Sequence, residues 1–168
     1  MTAKEIYERV RELCPDGVGG FDEEVPEPFF KVEPARVQEV CRALRDDEAL
    51  RFHVLSDLTA VDLPKENVIQ VVYHLYSYDS KEQTVVKVDL DRDAARIATV
   101  EEIWKVANWF EREVFDLFGV FFEGHSDLRR ILLPEDWVGY PLRKDFVEQE
   151  EYDGISTERA PLVPENLR

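Results

Sequence analysis

Histidine and cysteine are the side chains most able to hold a metal or attack a substrate, and this sequence has three of one and two of the other. Cys14 and Cys41 are far apart, each among apolar residues at helical spacing, and there is no Cys-x-x-Cys. An iron–sulfur cluster or structural zinc therefore lacks its ligand set. His53, His74 and His125 show no ligand spacing; the first two fall in strand candidates and read as half-buried β residues. A Cys14 or Cys41 nucleophile served by a distant His is disfavoured, because an apolar helix face raises a thiol pKa. Gly17-Val-Gly19-Gly20 follows a helix, not a strand, and is too short for a dinucleotide fingerprint. No phosphate-binding Gly-Lys loop and no Gly-x-Ser-x-Gly elbow occur. Carboxylates are so abundant that a nearby pair says nothing about acid–base catalysis. The expectation is a chain with no catalytic, cofactor-binding or metal-binding residues of its own.

The unusual chemistry runs from Asn108 to Phe146. Glu111-Arg112-Glu113 is followed by Asp116, and Arg112 and Asp116 are four apart, close enough to pair on a helix. Lys105, Trp109, Arg112 and Asp116 share one face. A solvated face with ordinary ion pairs is the bland reading, but Trp109 at its centre suggests that something covers it. Gly124-His125-Ser-Asp-Leu-Arg129-Arg130 and Trp137-Val-Gly-Tyr-Pro-Leu-Arg143-Lys144-Asp145 come next. Arg129, Arg130, Arg143 and Lys144 make a locally basic island in an acidic chain. They alternate with Ile131, Leu132, Leu133, Trp137 and Tyr140, which favours a protein interface over a small-anion site. On this reading Arg129, Arg130, Trp137, Arg143, Lys144 and Asp145 dock a partner, while Glu111, Arg112 and Asp116 act mainly inside the domain.

The net charge of −16 excludes sequence-independent nucleic-acid binding, and it opposes adsorption to an anionic membrane. A hydrophobic fraction of 44% is enough to fill a core, so the chain is globular. No run is long enough to span a bilayer, and the first residues lack an apolar leader core, so a cytosolic or peripheral location is expected. Two separated thiols suit a reducing compartment.

The elements that must position these residues follow from patterning. Thr2-Ala-Lys-Glu5 reads as a capping box opening a helix through Ile6, Val10 and Leu13. Residues 15–28, rich in Pro, Gly and acids, read as a loop. Phe29–Val32 is a short strand, and a second helix after Pro34 carries Val37, Val40, Cys41 and Leu44. Leu50, Phe52 and Val54 alternate as a strand. Val68–Tyr76 and Gln83–Leu90 suit an antiparallel hairpin. Thr99-Val-Glu-Glu102 reads as a second capping box, opening the longest helix through Ile103, Ala107, Phe110, Val114 and Leu117 to a C-cap at Gly119. The expected fold is α+β: one compact domain over residues 1–122, with a mixed or antiparallel sheet of four to five strands flanked by helices. A docking segment follows at 123–146, then an extended acidic tail at 147–168. From Asp145 onward seven acids face two arginines, so the tail should be disordered or lie along another protein.

The block Glu111-Arg-Glu-Val-Phe-Asp-Leu-Phe-Gly-Val-Phe-Phe-Glu-Gly-His-Ser-Asp-Leu-Arg-Arg130 resembles the signature of one family, the C subunits of respiratory complex I, whose mitochondrial form is the 30-kDa subunit. The similarity continues through Leu133-Pro-Glu-Asp-Trp-Val-Gly-Tyr-Pro-Leu-Arg-Lys-Asp-Phe146. Weaker echoes occur at Leu58-Thr-Ala-Val-Asp-Leu-Pro64, Tyr73-His-Leu75 and Ile103-Trp104. Glu111, Arg112, Glu113, Asp116, Gly119, Gly124 and His125 are its structural motif. Where the family usually reads Gly-His-Pro this chain has Ser126, expected to loosen the loop, and Val147 stands where another proline is frequent. The resemblance implies a non-catalytic subunit of a proton-translocating NADH:quinone oxidoreductase, bracing the large 49-kDa-type subunit and touching other peripheral-arm subunits. It implies no cofactor in this chain, with FMN and Fe–S clusters in partner subunits. It also implies a peripheral place on the cytoplasmic face of the inner (plasma) membrane. The equivalent subunit of a membrane-bound hydrogenase or another complex-I-like dehydrogenase is the alternative.

Overall fold

The computed structural model describes residues 1–157, and residues 158–168 of the expected tail lie outside them. Helix α1 (Ala3–Leu13) opens on the capping box: Glu5 N–H donates to Thr2 Oγ1 at 3.2 Å, and Thr2 N–H to Glu5 Oε2 at 2.7 Å. The following strands are β1 (Val18–Asp22) and β2 (Phe29–Val32), then a 3₁₀ turn at Pro34–Arg36 and helix α2 (Val37–Asp46). Strands β3 (Val54–Leu63), β4 (Val68–Tyr76) and β5 (Gln83–Asp91) complete a sheet ordered β1-β2-β5-β4-β3. Only β2 and β5 run parallel, so the sheet is mixed. One row, Leu58–Tyr73–Val86–Phe30, crosses four strands in register and is buried in the same cluster as Ile6, Val40, Cys41 and Val114 of the helices. On the other face Lys31, Gln70, Lys87 and Asp89 stay partly solvated, as the period of a strand requires. The α+β class and the β4–β5 hairpin are as expected.

Three elements differ from the sequence expectation. Strand β1 occupies part of the supposed loop; Gly19 and Gly20 give it no side-chain period. Tyr7 holds it instead, donating its hydroxyl to Gly19 O at 3.1 Å and stacking on Phe21 at 4.9 Å. Leu50 and Phe52 are buried but precede the strand, because Arg51 takes φ +49° and breaks the extended run. The long helix, α3, spans Ala107–Phe118 and does not begin near Thr99. Residues 99–106 form successive turns that bury Val100, Ile103 and Trp104, with Trp104 Nε1–H donating to Phe52 O at 3.1 Å. Before α3, β6 (Arg96–Ala98) pairs parallel with β7 (Phe121–Glu123), which follows the helix. Beyond Asp145, β8 (Glu151–Tyr152) and β9 (Ile155–Ser156) form a small hairpin, set against Trp137 by Tyr152 with ring centroids 5.4 Å apart.

Candidate docking strap

Helix α3 buries three charges, Glu111, Arg112 and Asp116, and these organise the chain that follows. Residues 125–145 contain no helix or strand, so their backbone groups need other partners. The helix supplies them. Asp116 Oδ2 accepts the consecutive N–H groups of Ile131, Leu132 and Leu133 at 3.0, 2.8 and 2.9 Å. Arg130 Nη1 donates to Asp116 Oδ1 at 2.7 Å. Three successive N–H groups converging on one anion form a nest. Burial pushes the Asp116 carboxyl pKa up, but these bonds outweigh it and hold it below the usual range. Arg112 does not pair with Asp116. Its guanidinium instead donates to the carbonyls of Arg129 at 3.2 Å and Arg130 at 3.3 Å, and sits 5.2 Å from the Trp109 ring. A buried guanidinium satisfies more donors on the unpaired carbonyls of the strap than on a carboxylate already saturated by a nest. Trp109 remains 59% exposed, so among the described residues the strap covers the Arg112 and Asp116 part of that face but not Trp109.

The strap's start is fixed through Glu101. Its carboxylate accepts Asn108 Nδ2–H at 2.7 Å, Ser126 N–H at 2.7 Å and the Ser126 hydroxyl at 3.0 Å. Burial raises the Glu101 pKa, and these donors bring it below normal. Ser126 thus tightens the loop that it was expected to loosen, since a proline there would have no N–H to give. Asp127 N–H donates to His125 Nδ1 at 2.9 Å, so Nε2 carries the proton and donates to Asn108 O at 3.1 Å. His125 is therefore a positioned imidazole, turned by Gly124 at φ +83°. Glu111 is completely buried between Thr99, whose hydroxyl bonds its Oε2, and Val100, whose N–H donates to Oε1 at 2.7 Å. Glu113 faces solvent.

At the far end, Gly119 caps α3 in the left-handed region at φ +74°, as expected, and its missing Cβ leaves room for the Tyr140 ring. Arg143 Nε–H donates to Phe118 O at 2.6 Å, and its guanidinium lies 4.9 Å from the Tyr140 ring. Buried Asp62 of β3 accepts Lys144 N–H at 2.7 Å and both ends of the Arg92 fork, at 2.6 and 3.0 Å. Arg92 also reaches Asp145 at 2.6 Å, and its bonds depress both carboxyls. Asp62, Arg92, Thr99 and Glu101 were missed from sequence as site residues. Asp62 lay in a stretch already singled out, Leu58–Pro64, and Thr99 and Glu101 lay in one read as a capping box.

Arg130 and Arg143 are therefore turned inward, with Arg130 Nη2 also donating to Trp137 O at 3.1 Å. Arg129 is exposed beside Asp127, and Lys144 is exposed while its backbone makes the Asp62 bond. Trp137 is partly buried, stacked 6.5 Å from Phe146. Beside its exposed charges the strap turns large apolar side chains outward: Leu132, Val138, Leu142 and Val147 are 61%, 67%, 48% and 82% exposed. The arrangement can hold an irregular segment rigidly in place. Among the described residues no His, Cys, Asp or Glu cluster could hold a metal ion. No helix there is long and apolar enough to cross a membrane.

By comparison with known proteins, the chain belongs to the family described as respiratory-chain NADH dehydrogenase, 30-kDa subunit, whose model matches residues 30–152. It is similar to the NADH-quinone oxidoreductase C subunit of Chlorobium phaeobacteroides, 44% identical over 151 residues, 89% of this chain and 91% of that one. It is also 42% identical, over 145 residues, to the NADH-quinone oxidoreductase C/D subunit of Acidiphilium cryptum, covering 81% of this chain and 23% of that longer one. Among solved structures it resembles a chain of the membrane-bound sulfane sulfur reductase, an archaeal respiratory membrane complex. The TM-score is 0.72 at 32% identity, covering 86% of this chain and 85% of that one.

Proposed function

We propose that the chain is a non-catalytic structural subunit of the peripheral arm of a proton-translocating NADH:quinone oxidoreductase. In this reading the strap over α3 docks it against the large 49-kDa-type subunit. The carrying observation is the strap itself. Asp116, Arg112, Glu101 and Asp62 satisfy its backbone from inside, while Leu132, Val138, Leu142 and Val147 face outward. Apolar residues held rigidly in water mark a contact surface, because rigidity lowers the entropy cost of binding. The relative named as a joint C/D subunit supports the identity of the partner, since C and D there share one polypeptide. Electron transfer then belongs to FMN and Fe–S clusters in other subunits, and the chain sits peripherally on the cytoplasmic face of the membrane.

The test is Leu132→Asp with Leu142→Asp in the assembled enzyme. The variant should fold, by circular dichroism and melting, yet fail to co-purify with the complex, and quinone reductase activity should fall with assembly. Normal assembly of the folded variant would refute the docking assignment. The resemblance to a sulfane sulfur reductase chain supports one second reading, the same role in another complex-I-like machine. The co-purifying subunits separate the two.

A further inference from the structure

Resting on that docking reading, we infer that a recess between Val138 and Val147 receives an apolar side chain of the partner, flanked on the partner by arginine or lysine. The recess has a volume of about 280 Å³ and is lined by Val138, Tyr140, Arg143, Phe146 and Val147, with Asp145 at its edge. That is below the range of about 300–1,000 Å³ typical of small-molecule sites, and suits a single protruding side chain. Its walls are fixed before any partner arrives. Tyr140 packs on Gly119 under the guanidinium groups of Arg130 and Arg143, 5.8 and 4.9 Å from its ring. Phe146 stacks on Trp137 and closes over Gly139, whose φ of +86° makes the turn.

The charge of the partner follows from where the strap's cations go. Residues 128–144 are cation-rich in sequence, and a basic docking face was the natural expectation. The fold turns two of these cations, Arg130 and Arg143, inward. Arg130 is bound to Asp116 and Trp137 O, Arg143 to Phe118 O, and Arg92 to Asp62 and Asp145. Among the described residues from Leu132 to Tyr152, Lys144 is the one exposed cation against six exposed acids. An acidic exterior alone would mean little in so acidic a chain. Here one of those acids, Asp145, lines the recess itself, and residues 145–151, just past the cation-rich stretch, add exposed Glu148, Glu150 and Glu151 with no cation among them. An acidic partner would meet repulsion around the contact and a neutral one would gain no steering, whereas a basic one gains steering and register.

The experiment measures binding of the full chain to peripheral arm purified without this subunit, over a range of salt. The wild-type association rate should fall as salt rises. Glu135→Lys with Glu150→Lys should slow association about tenfold at low salt, with little change in dissociation. That difference should vanish near 1 M salt, where screening acts within about 3 Å. Val138→Asp should instead speed dissociation, by about tenfold or more, because it places a charge in the recess. If Val138→Asp dissociates quickly but the Lys variant associates as fast as wild type or faster, the basic partner is wrong and the docking strap stands. If Val138→Asp and Leu142→Asp are both silent as well, the docking reading falls with it.

Discussion

Replacing Glu111 by glutamine should make the stability of this subunit less sensitive to pH, and the structure gives the size of the effect. Glu111 is fully buried, and no cation lies within ion-pair distance among the described residues. Burial is the largest influence on its carboxyl and raises the pKa. The Thr99 hydroxyl and Val100 N–H pull it back, nearby Glu101 pushes it up again, and it settles at about 7, against an ordinary 4.5. The Tyr73 hydroxyl and the Cys41 thiol, both buried, feel its charge and are themselves driven upward, first by burial. The folded state therefore binds a proton at Glu111 more tightly than the unfolded chain does. Its contribution is fully present below pH 4.5, is lost as pH rises toward 7, and is constant above that. The gap between 4.5 and about 7 corresponds to about 3 kcal/mol, or roughly 6–12 °C in melting temperature for a chain of this size. The introduced amide reproduces the protonated acid, accepting from Val100 N–H and donating to Thr99 Oγ1. Urea titrations of both proteins from about pH 4.5 to about pH 8 would isolate the site, since all other groups cancel in the difference. The advantage of Glu111→Gln should grow by about 3 kcal/mol across that range. A difference that does not change with pH would show that Glu111 ionises normally in the fold, and the reasoning would fail.

Asp116→Asn should destabilise the isolated subunit by about 3–5 kcal/mol in chemical denaturation, because Arg130 loses its buried counter-charge and three N–H groups lose an anion; a loss below about 1 kcal/mol would mean that the nest is dispensable. Gly119→Ala should cost at least about 1–2 kcal/mol from the left-handed backbone alone, plus displacement of Tyr140, and trypsin should then cleave the strap at Arg143 faster than in wild type. Ser126→Pro removes two bonds to Glu101, about 1–3 kcal/mol, against a gain of about 0.4–1 kcal/mol from a stiffer unfolded chain; the melting temperature should fall, and a rise would show the Glu101 contacts to be weak. Cys14 and Cys41 are both buried with raised pKa values, so neither should react with an alkylating reagent until the protein is unfolded.

Much of the scaffold was legible because burial writes itself into a period. The stripe Val37, Val40, Cys41, Leu44 and the strands at Val68–Tyr76 and Gln83–Asp91 needed only the spacings of helix and strand. Strand β1 was not legible because glycine leaves no period, and it is held from outside by Tyr7, which bonds Gly19 O and stacks on Phe21. The start of α3 was misread for a different reason. Thr99-Val-Glu-Glu102 satisfies the local rule for a helix cap, yet the Thr99 hydroxyl serves a carboxylate twelve residues away. Thr99 Oγ1 still accepts a local N–H, that of Glu101 at 3.1 Å, but the chain goes on in turns and becomes helical only at Ala107.

The charges on α3 show the same principle with functional weight. Spacing four apart licenses an Arg112–Asp116 pair only where both remain on the helix surface. Once the helix face is covered by a segment with no secondary structure, the segment's own N–H and C=O groups become the more urgent partners, since each would cost free energy if buried alone. Asp116 and Arg112 divide that work, the anion taking Ile131–Leu133 N–H and the cation taking the carbonyls of Arg129 and Arg130. Asp62 and Glu101 do the same at the two ends of the strap. A segment fixed in this way can leave its apolar side chains facing outward, because its shape does not depend on hiding them. Polar groups thus fix the strap from inside, Arg130 through Asp116 and Arg143 through Phe118 O, while Leu132, Val138 and Leu142 face outward.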